Sequence, residues 1–266
     1  MKDLFKHNKP LHSIIRETAE VAGYLWQRGW AERNAGNISI NISEIVDIEI
    51  IDYSPFPFLD LPFSYPKLAD SSFLVTGTGK RMRDFANSPM NNGIVIKVNQ
   101  SANGYWILSQ KAGSSSFLPT SELSTHLGIH QLIAERGSPE KVVLHAHTTE
   151  LIALTHAEEF CNQDSLNNLL WGMHPETIVF VPKGVGFVPY MLPGSVEIAM
   201  ETIKALQNHD VALWEKHGVF AIGNCVHETF DVIDILAKSA RIYFMCQSAN
   251  ILPRGLTASQ LSDLKL

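Results

Sequence analysis

The sequence predicts one α/β domain, a sandwich in which helices cover a mainly antiparallel or mixed central sheet. Runs of strand length alternate with longer stretches of helical spacing, and an Asn103-Gly104 pair between two such runs signals a hairpin, which makes neighbours antiparallel. No internal repeat and no low-complexity stretch divides the 266 residues. A chain of this length buries roughly three quarters of its unfolded surface in one core, so 1–266 reads as a single domain.

The first element is a helix. Ile14, Ile15, Thr18, Val21, Ala22, Leu25 and Trp26 have helical spacing across residues 11–30, and Gly29 ends the stripe. The chain then turns at Asn34-Ala-Gly-Asn37, small residues that suit either a close backbone approach or a plain helix cap. Residues 38–42 alternate cleanly and predict a strand. Residues 53–72 interleave prolines with aromatics, which predicts an ordered surface insertion or lid, because disordered segments are poor in aromatics.

Residues 72–80 predict a strand running into the turn Thr76-Gly-Thr-Gly79, followed by a short helix. The turn lacks the Walker spacing, and Arg81 follows Lys80 where a Ser or Thr would be needed, so the nucleotide-fold reading fails. What remains is a set of backbone N–H groups and a Thr78 hydroxyl able to cradle one anionic group. Residues 93–98 and 105–110 predict the hairpin. Pro119-Thr-Ser-Glu122 then opens a helix that runs to Arg136, with Thr120 or Ser121 as its N-cap and Glu122 in its first turn. Capping alone accounts for these residues; the alternative is that the helix N-terminus binds an anion and Glu122 faces it.

A buried strand ends at His145-Ala-His147. Helices at 150–156 and 165–173 lead to a strand at 178–181, and Pro193-Gly-Ser195 caps a helix through Ala205. Strands at 211–214 and 219–222 flank Lys216-His217-Gly218, and a long apolar-striped helix over 226–249 closes the fold.

Composition narrows the function. An apolar fraction of 45% and a charged fraction of 18% are those of a soluble globular protein. A net charge of −6 with no basic run argues against nucleic acid as the main partner, and no apolar run could span a bilayer. The first residues carry no signal-peptide core. Cys161, Cys225 and Cys246 are odd in number and widely spaced, which predicts reduced thiols in a cytoplasmic protein.

The chemistry gathers at His145-Ala-His147. Residues two apart on a strand project from one face, so both imidazoles point the same way. With a third from elsewhere, they make the three-ligand pattern of a catalytic zinc or similar divalent ion. The bland alternative is a pair of half-buried histidines at a strand end; His217 and Glu122 shift the balance toward metal.

Four motifs stand in order: Asn34-Ala-Gly-Asn37, Thr76-Gly-Thr-Gly79, Pro119-Thr-Ser-Glu122 with His145-Ala-His147, and His217-Gly-Val. Together they resemble the class II aldolase/adducin family over most of the chain. Residues 29–37, the Leu170-Trp171 pair and the proline-rich insertion look like the branch that splits L-rhamnulose 1-phosphate reversibly into dihydroxyacetone phosphate and L-lactaldehyde. The resemblance implies one zinc ion per subunit on His145, His147 and His217, with Glu122 as acid/base. It implies phosphate held by Asn34, Asn37, Thr78, Gly79, Thr120 and Ser121, and a homotetramer with sites near subunit contacts. Glu176 is the candidate second acid, reaching the outer part of the substrate from a neighbouring subunit; a solvated loop carboxylate is its plainer reading. Ala35 stands where this branch often carries glycine, a methyl tolerable only at a residue that avoids positive φ.

Other readings stay open from the residues. A fuculose-phosphate aldolase or a ribulose-phosphate 4-epimerase would share the metal and phosphate residues. An unrelated zinc hydrolase would leave the Asn/Thr/Ser set unexplained, and an adducin-like scaffold would be expected to have lost ligands. Lys80 and Lys216 lie in these motifs, but neither sits in an obviously apolar pocket, so a Schiff-base route is disfavoured.

Overall fold

The computed structural model describes residues 7–46, 52–109 and 117–264. The first six residues, read above as lacking a signal-peptide core, and Gln110, the expected end of a hairpin strand, lie outside the described residues. In chain order the strands are β1 (Asn37–Asn41), β2 (Phe58–Asp60), β3 (Ser72–Thr76), β4 (Gly93–Val98), β5 (Gly104–Ile107), β6 (Val142–Ala146), β7 (Val185–Val188), β8 (Val211–Trp214) and β9 (Gly218–Gly223). They form one mixed sheet in the order β2-β5-β4-β3-β1-β6-β9-β8-β7, antiparallel at every pairing except β7 with β8. The expected sheet, mainly antiparallel and covered by helices, is present.

The helices are α1 (Lys9–Arg28), α2 (Met82–Asn87), α3 (Pro89–Asn92), α4 (Leu123–Arg136), α5 (Thr149–Leu154), α6 (Gln163–Met173), α7 (Pro175–Phe180), α8 (Val196–Ala205), α9 (Val226–Ser248) and α10 (Ala258–Leu264). Strand alternation sorts them into two layers. Ile38, Ile40, Val142, Leu144, Val219 and Ala221 face a core shared with α1, α5, α6 and α9. Val143, Ala212, Phe220 and Ile222 face the opposite side, where Ile129 and Ile133 of α4 and Ile198 of α8 cover them. The central strands are buried on both faces, and β6 is accordingly an unbroken apolar run up to its histidine.

Several local expectations are corrected. Residues 178–181 form no strand: Pro175 occupies the start of α7, where a missing N–H costs nothing, and the β-branched run follows as helix. The edge strand is β7 instead. α4 begins at Leu123, so Glu122 is itself the residue at the cap position and its side chain caps nothing. The hairpin between β4 and β5 does not turn on Asn103-Gly104. Its left-handed residue is Ala102 (φ 54), and the Asn99 side chain accepts from the N–H groups of Asn103 and Gly104.

The proline- and aromatic-rich insertion is anchored on both sides. Tyr53 stacks on Trp106 at 4.2 Å between ring centres, β2 pairs with β5, and the Tyr65 hydroxyl donates to the Ser124 carbonyl at 3.1 Å. Register then brings the chemistry to one end of the sheet: Asn37 lies opposite His145, and Ala146 opposite Val219.

Candidate active site

The turn entering β1 is built around Gly36. Its φ is 76°, and an added Cβ would stand 3.2 Å from the His145 carbonyl. Ala35 is not among the positive-φ residues, so its methyl is compatible with the turn; Arg33 (φ 49) takes the second left-handed position. The Thr76-Gly-Thr-Gly79 and Pro119-Thr-Ser-Glu122 loops lie side by side. Gly77 bridges Pro119, the Thr78 N–H donates to Leu118, and the Thr120 N–H donates to Thr76.

His145, His147 and His217 converge, with one ligand atom from each lying within 4.8 Å of the others. His145 is almost fully buried at 1% exposure, and its ring stacks on Phe220 at 4.3 Å. Its Nδ1–H donates to the Val219 carbonyl at 3.0 Å, which leaves Nε2 bare, buried and without a hydrogen-bond partner. Glu32 plays the carbonyl's part for His147: the carboxylate lies 2.7 Å from Nδ1 and can only accept, so Nδ1 carries the hydrogen and Nε2 is the nitrogen left toward the trio. Orienting one ring nitrogen through a carbonyl or carboxylate while baring the other is how metal-ligating histidines are held.

His217 sits in the β8–β9 corner, next to Lys216 in the left-handed region at φ 58°. The Lys216 N–H donates to the Thr155 hydroxyl at 2.8 Å. A Cβ on Gly218 would stand 2.5 Å from the Ala146 carbonyl and 3.1 Å from the His145 ring, so only glycine lets the corner close on β6.

The electrostatics agree with neutral imidazoles. Burial holds His145 well below the usual histidine range, and His147 and His217 push the same way. Burial also lowers His217, with His147 adding to the effect and Glu122 and Glu32 opposing it. The 3.7 Å approach of Glu122 to His145 Nε2 is therefore neither an ion pair with a charged ring nor a hydrogen bond. It places a carboxylate at the mouth of the trio.

Glu122 accepts from the Asn37 side-chain NH2 at 2.6 Å. The Asn37 carbonyl oxygen is in turn met by Nε2 of His126 on α4. Both amide atoms of Asn37 are thus engaged, although its NH2 keeps one further hydrogen. Asn34, Thr78, Gly79 and Ser121 are exposed, and Thr120 is buried with its hydroxyl accepting from the Glu122 N–H at 3.3 Å. Of the turn N–H groups, those of Gly77, Thr78 and Lys80 are spent on backbone carbonyls, so the expected backbone cradle reduces to Gly79 and the Thr78 hydroxyl.

Glu176 is not brought to the trio. It pairs with His174 at 3.0 Å at the start of α7, away from the three histidines. Neither lysine is built as a nucleophile. Lys80 lies 4.1 Å over the Phe117 ring, and Glu215 holds Lys216 charged by raising its pKa. Beside Glu122 a cavity of about 350 Å³ opens, lined by Phe63 and Tyr65 of the insertion, Ser121, and Met200 and Ile203 of α8.

The sequence reading missed Glu32, Thr155, Ser39, His126 and His130. The last two were visible as histidines four apart on a predicted helix. Glu32 and Thr155 carry no local signal, because their roles come from tertiary contact alone.

Residues 16–244 match the family described as Class II Aldolase and Adducin N-terminal domain. The chain is 45% identical to the rhamnulose-1-phosphate aldolase of Bacteroides thetaiotaomicron, covering 100% of this chain and 98% of that one. It is 37% identical to the enzyme of the same name from Klebsiella pneumoniae subsp. pneumoniae, over 96% and 91% of the two chains. Among solved structures, a sugar-phosphate aldolase from Thermotoga maritima superposes with a TM-score of 0.78 at 33% identity, over 91% of this chain and 98% of that chain. An L-fuculose 1-phosphate aldolase gives 0.61 at 19% identity, over 95% and 94%, a likeness of fold.

Proposed function

Because the chain belongs to the class II aldolase and adducin family, we propose that it catalyses the reversible cleavage of L-rhamnulose 1-phosphate into dihydroxyacetone phosphate and L-lactaldehyde. The observation that carries this reading is the pairing of an oriented histidine trio with Glu122, in a chain 45% identical to a rhamnulose-1-phosphate aldolase over its full length.

The donor set fits a metal, since a buried bare nitrogen such as His145 Nε2 costs free energy unless something binds it. His145, His147 and His217 would hold the ion, and three imidazoles with an open fourth position suit zinc. Such an ion supplies Lewis-acid stabilisation of charge developing on the substrate's oxygens, worth several kcal/mol.

The protein's own groups do the rest. In the cleavage direction the hydroxyl on the carbon that becomes the aldehyde must lose its proton from oxygen as the carbon–carbon bond breaks, and a proton must reach the carbon left behind. We assign this proton movement to Glu122, a role typically worth about 10² to 10⁴ in rate. We assign phosphate to Asn34, Asn37, Thr78, Gly79, Thr120 and Ser121, neutral donors whose loops adjoin at the same sheet end. Glu176 serves as second acid only if it reaches a neighbouring copy's site. The exposed Phe63, Val196 and Met200 around the cavity beside Glu122 support a homotetramer in which this face meets another copy. Free Cys161, Cys225 and Cys246 support a reducing, cytoplasmic setting, and among the described residues no helix is long and apolar enough to cross a membrane.

The test is release of dihydroxyacetone phosphate from a panel of ketose 1-phosphates, with and without chelator. Release from L-rhamnulose 1-phosphate, lost on chelation and restored by zinc, is expected. Chelator-insensitive release sinks the metal assignment, preference for another ketose phosphate sinks the substrate, and equal cleavage of the unphosphorylated ketose sinks the phosphate set.

A further inference from the structure

Behind Glu122 the hydrogen bonds do not stop at Asn37. His126 and His130 lie four residues apart on α4 and both point at Ser39, in the middle of β1. The Ser39 hydroxyl oxygen is 2.7 Å from His126 Nδ1 and 2.8 Å from His130 Nε2. All three residues are essentially sealed from solvent, with Ser39 at 1%, His126 at 0% and His130 at 2% exposure. His126 meets the Phe220 ring edge-on, and His130 packs over Phe73. A buried run of five polar groups, Glu122, Asn37, His126, Ser39 and His130, therefore leads from the trio into the interior.

We propose that Ser39, His126 and His130 are positioning residues, a directed chain that holds the Asn37 amide with its NH2 aimed at Glu122. The direction follows from the donor and acceptor inventory of the buried, neutral rings. A carboxylate only accepts, so Asn37 turns its NH2 to Glu122 and its carbonyl oxygen to His126. That oxygen requires a hydrogen on His126 Nε2. Burial keeps His126 neutral, well below the usual histidine range, and its Nδ1 must then accept from the Ser39 hydroxyl. Ser39, having donated its single hydrogen, accepts from His130, which burial holds neutral with a pKa of about 3. One arrangement satisfies every member, and a fully satisfied buried network fixes a single geometry.

Conduction of protons is the competing role for such a chain. His130 also lines a polar cavity of about 260 Å³ with Glu140 and Lys141, so the chain ends near a wet surface. An amide is a poor carrier, however, since its nitrogen lone pair is delocalised into the carbonyl and it neither takes up nor gives up a proton readily. Orientation is what Asn37 can transmit. Without the chain, its amide could turn its oxygen toward Glu122, and the two would repel.

The inference rests on Glu122 as the acid/base, and the experiment separates the two. Neutron diffraction on deuterated, zinc-loaded full-length enzyme is expected to show deuterium on Nε2 and none on Nδ1 of both His126 and His130. A deuteron on His126 Nδ1 with Nε2 bare overturns the chain, whatever Glu122 does. Kinetics then test its service to catalysis. Ser39→Ala is expected to lower kcat per bound zinc about fivefold, roughly the factor one net hydrogen bond carries. Zinc content should be unchanged, and Ser39→Thr, which keeps the hydroxyl, should recover most of the loss. A purely structural serine would lower thermal stability and leave kcat per zinc alone. If Glu122→Gln is inactive while Ser39→Ala turns over like wild type, the positioning role is wrong. If Glu122→Gln is fully active, the acid/base reading falls and takes the positioning role with it, and the neutron map alone judges the chain. Should Ser39→Ala not fold, the map on the wild-type enzyme still decides.

Discussion

Two groups of histidines, built from one residue type, face opposite fates on the same side of one sheet. His145, His147 and His217 each lie at or beyond a strand end, and the first two spend one nitrogen on a carbonyl or carboxylate. His126 and His130 sit on helix α4, and their three side-chain hydrogen bonds all run to members of a closed chain, with Phe73 and Phe220 packed against the rings. The first group leaves a buried acceptor unsatisfied, and the second satisfies what it buries. An unmade bond costs about 1–3 kcal/mol, so the first arrangement persists only where something outside the chain completes it. The difference shows that what marks a ligand histidine is the state of its second nitrogen, more than its burial.

Removing one member of each group should separate them most. His217→Ala is expected to lose most of its bound zinc and all measurable turnover while remaining folded, as checked by metal analysis and circular dichroism. Full zinc occupancy would remove His217 from the site. Next in size is Glu122→Gln, which keeps shape but cannot return a proton. Turnover should fall by about 10² or more with zinc retained. Near-normal turnover would leave Glu122 as a residue that merely favours the helix dipole, worth about 0.3–1 kcal/mol.

The orienting carboxylate comes third. Glu32→Ala should weaken zinc binding by about 10- to 100-fold, the usual effect of losing a partner behind a ligand histidine. A chelator competition that finds no change would mean the trio orients itself.

The closed pair predicts a pH effect of known sign. Unfolded histidine titrates near 6.5, whereas folded His130 is held at about 3 by burial. Below pH 6.5 the unfolded chain therefore binds protons that the folded one refuses, so stability falls as pH falls, over the window from 6.5 to about 3. Between pH 7 and pH 5 the loss should be about 2 kcal/mol for each fully buried neutral histidine. Urea midpoints of wild type and His130→Leu at the two pH values isolate one histidine's share; equal slopes would mean that His130 charges freely.

What could be read from the residues follows the same division. His145-Ala-His147 at the end of an apolar run, and His217 before a glycine, advertise themselves because strand ends and tight corners are local features. Glu122 was read into the first turn of its helix, whereas α4 starts after it and its carboxylate turns to Asn37 instead of capping. Ser39 was invisible for a physical reason: in an alternating strand a serine between isoleucines reads as the wet face, and here α4 covers that face. Residues 178–181 misled in the opposite way, since their β-branched character is overruled by Pro175 and by packing of α7 against α6 and α9. The roles proposed for Glu176 and for a tetramer concern contacts between copies, which one chain's pattern does not encode.

The corner that carries His217 has a consequence for how such a protein changes over time. Lys216 holds a left-handed conformation that disfavours any residue with a Cβ by roughly 1–2 kcal/mol, and its ion pair with Glu215 is an exposed one that returns little. Lys216→Asn, a residue more at ease there, should raise the melting temperature slightly with turnover unchanged; a drop would show that the lysine does more than occupy the turn. Random drift should then favour asparagine or glycine at this position, while Gly218, two residues on, admits no drift at all. Within three residues the chain thus places a site open to stabilising substitution, a proposed ligand, and a site closed to any change, and a laboratory search for a hardier enzyme would do well to begin at the first and leave the last alone.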